Sequence, residues 1–145
     1  KEGNPQAFDF PRAMLDMGLD FSFSGMKSAV LNTLNSARMK GVELNTADLA
    51  ASFQQAVVDV LVHKAVCALE QTRVNTLVLA GGVAANTLLR ESLATEAAKR
   101  GVRFVYPPIE LCTDNGAMIA MAGYYHYLAQ RFAPWSLNAV PGLGL

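Results

Sequence analysis

Two short apolar runs on either side of one helical stretch constrain this chain more than any other feature. Thr76-Leu77-Val78-Leu79-Ala80 is continuous, β-branched at two positions and bounded by Asn75 and Gly81. That is the pattern of a buried strand in a parallel sheet. Gly81-Gly82 turns the chain, and residues 83–100 then read as helix, stopped by Gly101. Arg103-Phe104-Val105-Tyr106 is a second strand, closed by Pro107-Pro108. Strand, helix and strand in that order make a βαβ unit, with parallel strands and a right-handed crossover. The fold class is therefore α/β.

The rest of the chain arranges itself around that unit. Residues 1–19 are broken by Pro5, Pro11 and Gly18 and read as an irregular flap that packs through its apolar residues. Phe21-Ser22-Phe23-Ser24-Gly25 alternates aromatic and hydroxyl, which predicts a short half-buried strand ending at a turn. Met26, Ala29, Val30, Leu34 and Ala37 fall at helical spacing up to about Met39, with Gly41 as the stop. Asn45-Thr46-Ala47-Asp48 reads as a helix start, with Asn45 as N-cap and Asp48 reaching back as in a capping box. That helix should run to about Thr72. Its stripe of Leu49, Phe53, Ala56, Val57, Val60, Leu61, Ala65, Ala68 and Leu69 suits a helix lying across a sheet or a neighbouring domain. A further long helix is expected from Asn115 to about Phe132, followed by a coil tail. The chain thus divides into residues 1–44 (flap, strand and helix), 45–75 (long helix), 76–132 (βαβα unit) and 133–145 (tail), without internal repeats.

Composition narrows the class of partner. The 145 residues are 52% hydrophobic and 17% charged, with twelve Lys+Arg balancing twelve Asp+Glu. A chain of this size buries about 70% of its unfolded surface, and its hydrophobicity excludes disorder. Zero net charge excludes a strongly basic module that attracts a polyanion by its own field. Cys67 and Cys112 are too few for a disulfide scaffold, which points to a reducing, cytosolic setting. No apolar run approaches the roughly 18 residues of a membrane span, and the opening carries no signal-peptide pattern. The start at Lys1-Glu2-Gly3-Asn4-Pro5, with no initiator Met, leads us to expect part of a longer protein.

Open α/β sheets bind ligands at the carboxyl ends of their strands, and two such ends carry chemistry here. At the first, Gly81-Gly82-Val83-Ala84-Ala85-Asn86, the glycines let backbone approach a ligand. The following helix points its N–H groups and positive dipole end at it, and Asn86 offers an amide in the first helical turn. The plainer alternative is a tight turn with a capping Asn. At the second, Cys112-Thr113-Asp114-Asn115-Gly116, Thr113 or Asp114 reads either as an N-cap or, for Asp114, as a metal ligand or phosphate-site acid. The two ends should converge on one crevice. His63 and His126 have no second His four residues away to complete a metal pair, and both read as ordinary helix residues. Cys67 reads as core. Cys112 has no histidine in its sequence neighbourhood to activate it, and the six Met read as core filler.

Taken together, three blocks resemble one family. They are Phe21-Ser22-Phe23-Ser24-Gly25-Met26-Lys27, then Gly81-Gly82-Val83-Ala84-Ala85-Asn86 with Leu89-Arg90, then Cys112-Thr113-Asp114-Asn115-Gly116-Ala117-Met118-Ile119-Ala120, with Phe10-Pro11-Arg12 in keeping. In order and spacing they resemble the TsaD family, the tRNA N6-adenosine threonylcarbamoyltransferases, once called glycoproteases or O-sialoglycoprotein endopeptidases. The resemblance implies the carboxyl-terminal part of an actin-like (Hsp70/sugar-kinase-type) ATPase fold. It implies transfer of threonylcarbamoyl from threonylcarbamoyl-AMP to N6 of adenosine 37 in tRNAs reading codons that begin with A. It implies one divalent metal, Fe(II) with Zn(II) or Mg(II) as alternatives, held by two histidines of a His-x-x-x-His motif and by the Asp of Thr-Asp-Asn-Gly. That Asp falls on Asp114, whereas His63 and His126 do not form the histidine motif. The family's substrate-binding Asn falls on Asn86, and Gly81, Gly82 and Asn86 are implied to hold the adenylate. The implied partners are tRNA, a paralogous non-catalytic subunit and a small ATPase subunit, in the cytoplasm and without a membrane. Without the histidine motif, the chain alone is expected to be inactive.

Two other classes fit parts of the sequence. An actin-like ATPase or sugar kinase shares the Gly-Gly turn, although the Thr-Asp-Asn-Gly block argues against it. A subunit-interaction module accounts for the broad stripe on residues 46–72, as does ordinary core packing. A peptidase needs a nucleophile or a complete zinc site, and this sequence has neither.

Overall fold

In the computed structural model, residues 3–140 and 142 are described. Lys1, Glu2 and residues 141 and 143–145 of the expected flap and tail lie outside them. The elements run α1 (Ser24–Lys40), α2 (Thr46–Thr72), β1 (Thr76–Val78), a 3₁₀ turn (Gly82–Ala85), α3 (Thr87–Lys99), β2 (Arg103–Val105), a second 3₁₀ turn (Ile109–Leu111) and α4 (Gly116–Leu128). β1 and β2 pair in parallel, Thr76 opposite Arg103 and Val78 opposite Val105. The result is a helix-rich α/β arrangement around a two-stranded parallel sheet.

Both glycine stops act as the sequence predicts. Gly41 sits at φ 65° and donates to Arg38 O at 3.2 Å, while Val42 N donates to Ala37 O at 3.0 Å. Gly101, also at φ 65°, repeats the pattern after α3 through Ala98 O and Ala97 O. Each left-handed residue satisfies carbonyls that the helix end leaves open, and only glycine adopts that φ without steric cost. Asn45 caps α2 by accepting from Ala47 N at 2.9 Å and Asp48 N at 3.4 Å. The capping-box role for Asp48 does not hold: its Oδ1 accepts from Asn4 N at 2.7 Å and ties the flap to α2.

The flap is anchored to α2 at three heights. Ser52 Oγ accepts from Phe8 N at 3.1 Å and donates to Asn4 O at 3.1 Å. Asp59 accepts from Arg12 Nε at 2.8 Å and from Gln55 Nε2 at 2.7 Å. Lys64, only 4% exposed, donates Nζ to Met14 O, Met17 O and Gly18 O. Three carbonyls take the place of the water that a buried ammonium loses.

Two cores share α2. In one, Phe10, Met26 and Ala56 gather Phe8, Phe23, Ala29, Val30, Leu49 and Val57. In the other, Val58, Leu89 and Leu93 gather Leu61, Val62, Ala65, Leu77, Leu79 and Phe104. The single stripe expected on α2 is therefore two faces, with Val58 on the second and Phe53 39% exposed. At the end of α3, Lys99 and Arg100 donate to Glu96 and hold its carboxyl below the usual range. Arg100 also reaches Glu70 of α2 at 3.3 Å.

Four local expectations fail. The strand at residues 21–25 is absent: α1 begins at Ser24, and Ser22 Oγ accepts from Ser24 N at 3.4 Å, so the hydroxyls build a turn into the helix. The helix expected over residues 83–100 is broken at Asn86, which leaves helical geometry (φ −70°, ψ 114°) to cap α3. β1 is three residues long and covered on one face only, with Val78 65% exposed. α4 ends at Leu128, and none of its residues is buried.

Leu89 is 2% exposed within the second core. Leu89→Ala should cost about 2–5 kcal/mol in denaturant unfolding; a loss below about 1 kcal/mol contradicts the core described here. The apolar surface of α4 and the unpaired sheet edges predict that the 145-residue chain self-associates. Its mass by light scattering should rise with concentration, and a monomer at every concentration contradicts this.

Candidate functional site

The first strand end is built by Gly81. Its φ of 86° with ψ of 175° is a backbone conformation closed to other residues without strain. From there the chain enters the 3₁₀ turn, held by Ala84 N donating to Gly81 O at 3.0 Å and Asn86 N donating to Val83 O at 3.0 Å. Gly82 has ordinary backbone geometry, and an added Cβ at either glycine meets nothing within 4 Å. The space in front of the turn is open, which is what a ligand approaching the backbone requires.

Asn86 closes the turn. Its Oδ1 accepts from Leu89 N at 3.0 Å, while its Nδ2 makes no hydrogen bond among the described residues. The side chain is half-buried. It lines a groove of about 210 Å³ together with Phe53, Val58, Leu61, Val83 and Leu89. The sequence reading offered a capping role and a ligand-binding role as alternatives. The geometry commits Oδ1 to the cap and leaves Nδ2 unengaged among the described residues.

At the second strand end the expected caps are wrong. Neither Thr113 nor Asp114 caps α4; Asn115 does, accepting from Met118 N at 3.1 Å. Asn115 Nδ2 donates back to Thr113 O at 2.8 Å and to Leu111 O at 3.3 Å, which fixes the loop. Asp114 is exposed, and among the described residues its carboxylate takes part in no hydrogen bond or ion pair. A carboxylate free of structural duties suits a hard cation. Among the described residues, however, no three His, Cys, Asp or Glu side chains cluster as a metal site. Its exposed carboxylate has the donor chemistry of a cation ligand, and the described residues gather no set of three such ligands around it. His63 is engaged on α2 with Asp16 at 3.7 Å and Cys67 Sγ at 3.5 Å, and His126 lies exposed on α4.

The sequence reading gave no role to the residue that joins the two strand ends. Arg90, in the first turns of α3, donates Nε to Ala84 O. Its Nη2 donates to Pro107 O at 2.8 Å and to Cys112 Sγ at 2.9 Å. The guanidinium lies over the Tyr106 ring at 4.7 Å. Ala84 belongs to the turn that carries Asn86, whereas Pro107 and Cys112 lie on the path from β2 to Asp114. One side chain thus fastens both candidate loops. Cys112 is 4% exposed, and its Sγ accepts from Arg90 and donates to Pro108 O at 3.4 Å, so the thiol is engaged in holding the loop.

If Asn86 Oδ1 caps α3, Asn86→Ala should lower stability by about 1 kcal/mol, whereas Asn86→Asp, which keeps a capping oxygen, should cost a few tenths at most. Thermal unfolding of both variants tests this; equal losses contradict the cap.

Comparison with known proteins yields one consistent family. The family model described as TsaD, tRNA N6-adenosine threonylcarbamoyltransferase, matches residues 1–121. A protein of Desulfitobacterium hafniense (strain Y51) with that name is 70% identical over 145 residues, covering 99% of this chain and 42% of the relative. One of Moorella thermoacetica, with the same name, is 56% identical over 146 residues, covering 100% of this chain and 43% of the relative. One of Clostridium botulinum (strain 657 / Type Ba4), again so named, is 54% identical with the same coverage. The chain spans well under half the length of these relatives.

Proposed function

We propose, for a chain that belongs to the TsaD family, that it forms the carboxyl-terminal part of an enzyme moving threonylcarbamoyl from threonylcarbamoyl-AMP to N6 of adenosine in tRNA. The observation that carries the reading is the pair of loops at the ends of two parallel strands, joined by Arg90, one bearing Asn86 and the other an unpartnered Asp114. In the longer protein this unit belongs to an actin-like fold, whose remaining strands pair with the open edges of β1 and β2.

The reaction joins the exocyclic amine of adenosine to the carbamoyl carbon. The bond from that carbon to the phosphate oxygen breaks, AMP leaves and the amine gives up one proton. The chain's own residues do the holding. The turn at Gly81 and Gly82 lets the adenylate approach backbone, and the positive end of α3 favours its negative charge. Asn86 Nδ2 is the donor to the adenylate, because Oδ1 is committed to Leu89 N. Asp114 would hold a divalent metal, Fe(II) or alternatively Zn(II) or Mg(II), through a carboxylate oxygen, with further ligands supplied by the rest of the longer protein. When bound, such a metal supplies a Lewis acid for the carbamoyl carbonyl. With zero net charge here, the phosphates of tRNA need basic surface on the rest of the protein or on partner subunits. Those partners are a paralogous non-catalytic subunit and a small ATPase subunit, and the setting is the cytoplasm. Among the described residues no helix is long and apolar enough to cross a membrane.

Asp114→Asn in the full-length enzyme with its partners separates chemistry from structure. Since Asn115 caps α4, the melting temperature should hold, while tRNA modification and bound metal fall by orders of magnitude. Near wild-type transfer with normal bound metal defeats the assignment. Asn86→Asp, which keeps the cap, should instead raise KM for threonylcarbamoyl-AMP with metal content unchanged.

A further inference from the structure

Arg90 is a cation without a carboxylate. None of the ion pairs among the described residues includes it. It lies near the start of α3, where the helix dipole opposes positive charge, so helix stability gives no reason for it there. Every hydrogen bond of its guanidinium goes to a strand-end loop: to Ala84 O on the first, and to Pro107 O and Cys112 Sγ on the second. The Tyr106 ring, itself in tilted contact with Phe104 at 5.0 Å between centroids, covers its face.

From this geometry we propose that Arg90 is the positioning residue of the site: it sets the spacing between the Asn86 turn and the Asp114 loop. The two loops leave different strands, which pair as far as Leu79 N donating to Val105 O at 2.9 Å; beyond that pairing, the side-chain hydrogen bonds that join the loops among the described residues run through this one planar fork. A guanidinium is suited to the task because its donors are fixed in one plane, so three acceptors are held at set angles. A lysine keeps the charge and three donors, but on one nitrogen, which serves acceptors converging on a point, as at Lys64, and not acceptors divided between Nε and Nη2 of a fork. The inference rests on the proposed function for what the spacing serves, namely adenylate at one loop and the reacting carbonyl near the other. Displacement by about 1 Å at such a site costs about 100-fold in rate.

The test uses the full-length enzyme with its partners and the Arg90→Lys variant, read in two ways. Hydrogen exchange needs no activity. Amides of residues 82–86 and of residues 109–115 should both exchange at least about tenfold faster, while those of residues 93–97 in the α2–α3 core stay protected. Turnover should show kcat down about 100-fold with KM for threonylcarbamoyl-AMP little changed, because neither loop loses its own ligand contacts. Loosening of one loop alone, or of neither, overturns the proposal, as does an unchanged kcat with both loops loosened. Cys112→Ala removes one acceptor and decides the matter should Arg90→Lys fail to fold. Residues 109–115 should then loosen while residues 82–86 do not, and any other pattern overturns the proposal. Absence of transfer by the unmodified enzyme defeats the functional reading and leaves the exchange result to judge Arg90.

Discussion

A helix can serve two cores only if its apolar residues spread beyond one stripe, and α2 meets that condition with residues two apart. Ala56 and Val58 lie about 200° from each other around the helix, so one faces Phe10 and Met26 while the other faces Leu89 and Leu93. Leu49 and Val57 extend the first face; Leu61, Val62 and Ala65 extend the second. Everything that positions the site is referred to this helix. α3 packs on it through Leu89 and Leu93, and the sheet packs through Leu77, Leu79 and Phe104. Since Leu89 N is also the donor that Asn86 caps, the core contact and the site residue sit within one turn of α3.

The distribution of polar contacts follows from the same arrangement. The flap has no regular structure to satisfy its backbone, so α2 supplies partners for it: Ser52 for Asn4 and Phe8, and Lys64 for Met14, Met17 and Gly18. Burial of Lys64 is tolerable only because all three of its donors find carbonyls. No apolar substitution at that position replaces those bonds, which explains a lysine within an otherwise apolar stretch of helix. By contrast α4 has apolar residues on every side and buries none of them. Its composition suits a helix surrounded by other elements, and the relatives' additional length is where we place such elements.

Signals that depend on one residue's own conformation or on local pattern were legible in the sequence. Gly41 and Gly101 ended their helices, Asn45 capped α2, and the two apolar runs paired in parallel. What the sequence hid depended on a partner distant along the chain. Asp48 had a capping-box position but found Asn4 N, and Val58 lay off the expected stripe until α3 gave it a neighbour. Phe21 to Gly25 alternated like a strand, yet no second strand lies beside it among the described residues, and the serines closed a turn locally. Gly81, Asn86 and Asp114 were picked out by residue type at strand ends. Arg90 was passed over because its three acceptors lie six to twenty-two residues away and include two backbone carbonyls, which carry no sequence signature.

A capping side chain and a ligand-binding side chain are often treated as rival explanations of one residue. At both strand ends here the rivalry dissolves, in two different ways. At Asn86 the cap occupies one atom only: the bond from Leu89 N to Oδ1 fixes the amide plane, and a fixed plane gives the unengaged Nδ2 a set direction for the donor role we propose, at no further entropic cost. At the second end the roles are divided between neighbours. Asn115 takes the cap and, through Nδ2, the turn carbonyls of Leu111 and Thr113, which leaves Asp114 with no structural task among the described residues. With the cap one residue later, both carboxylate oxygens of Asp114 stay clear of the helix-end N–H groups, so neither has to be shared with the backbone.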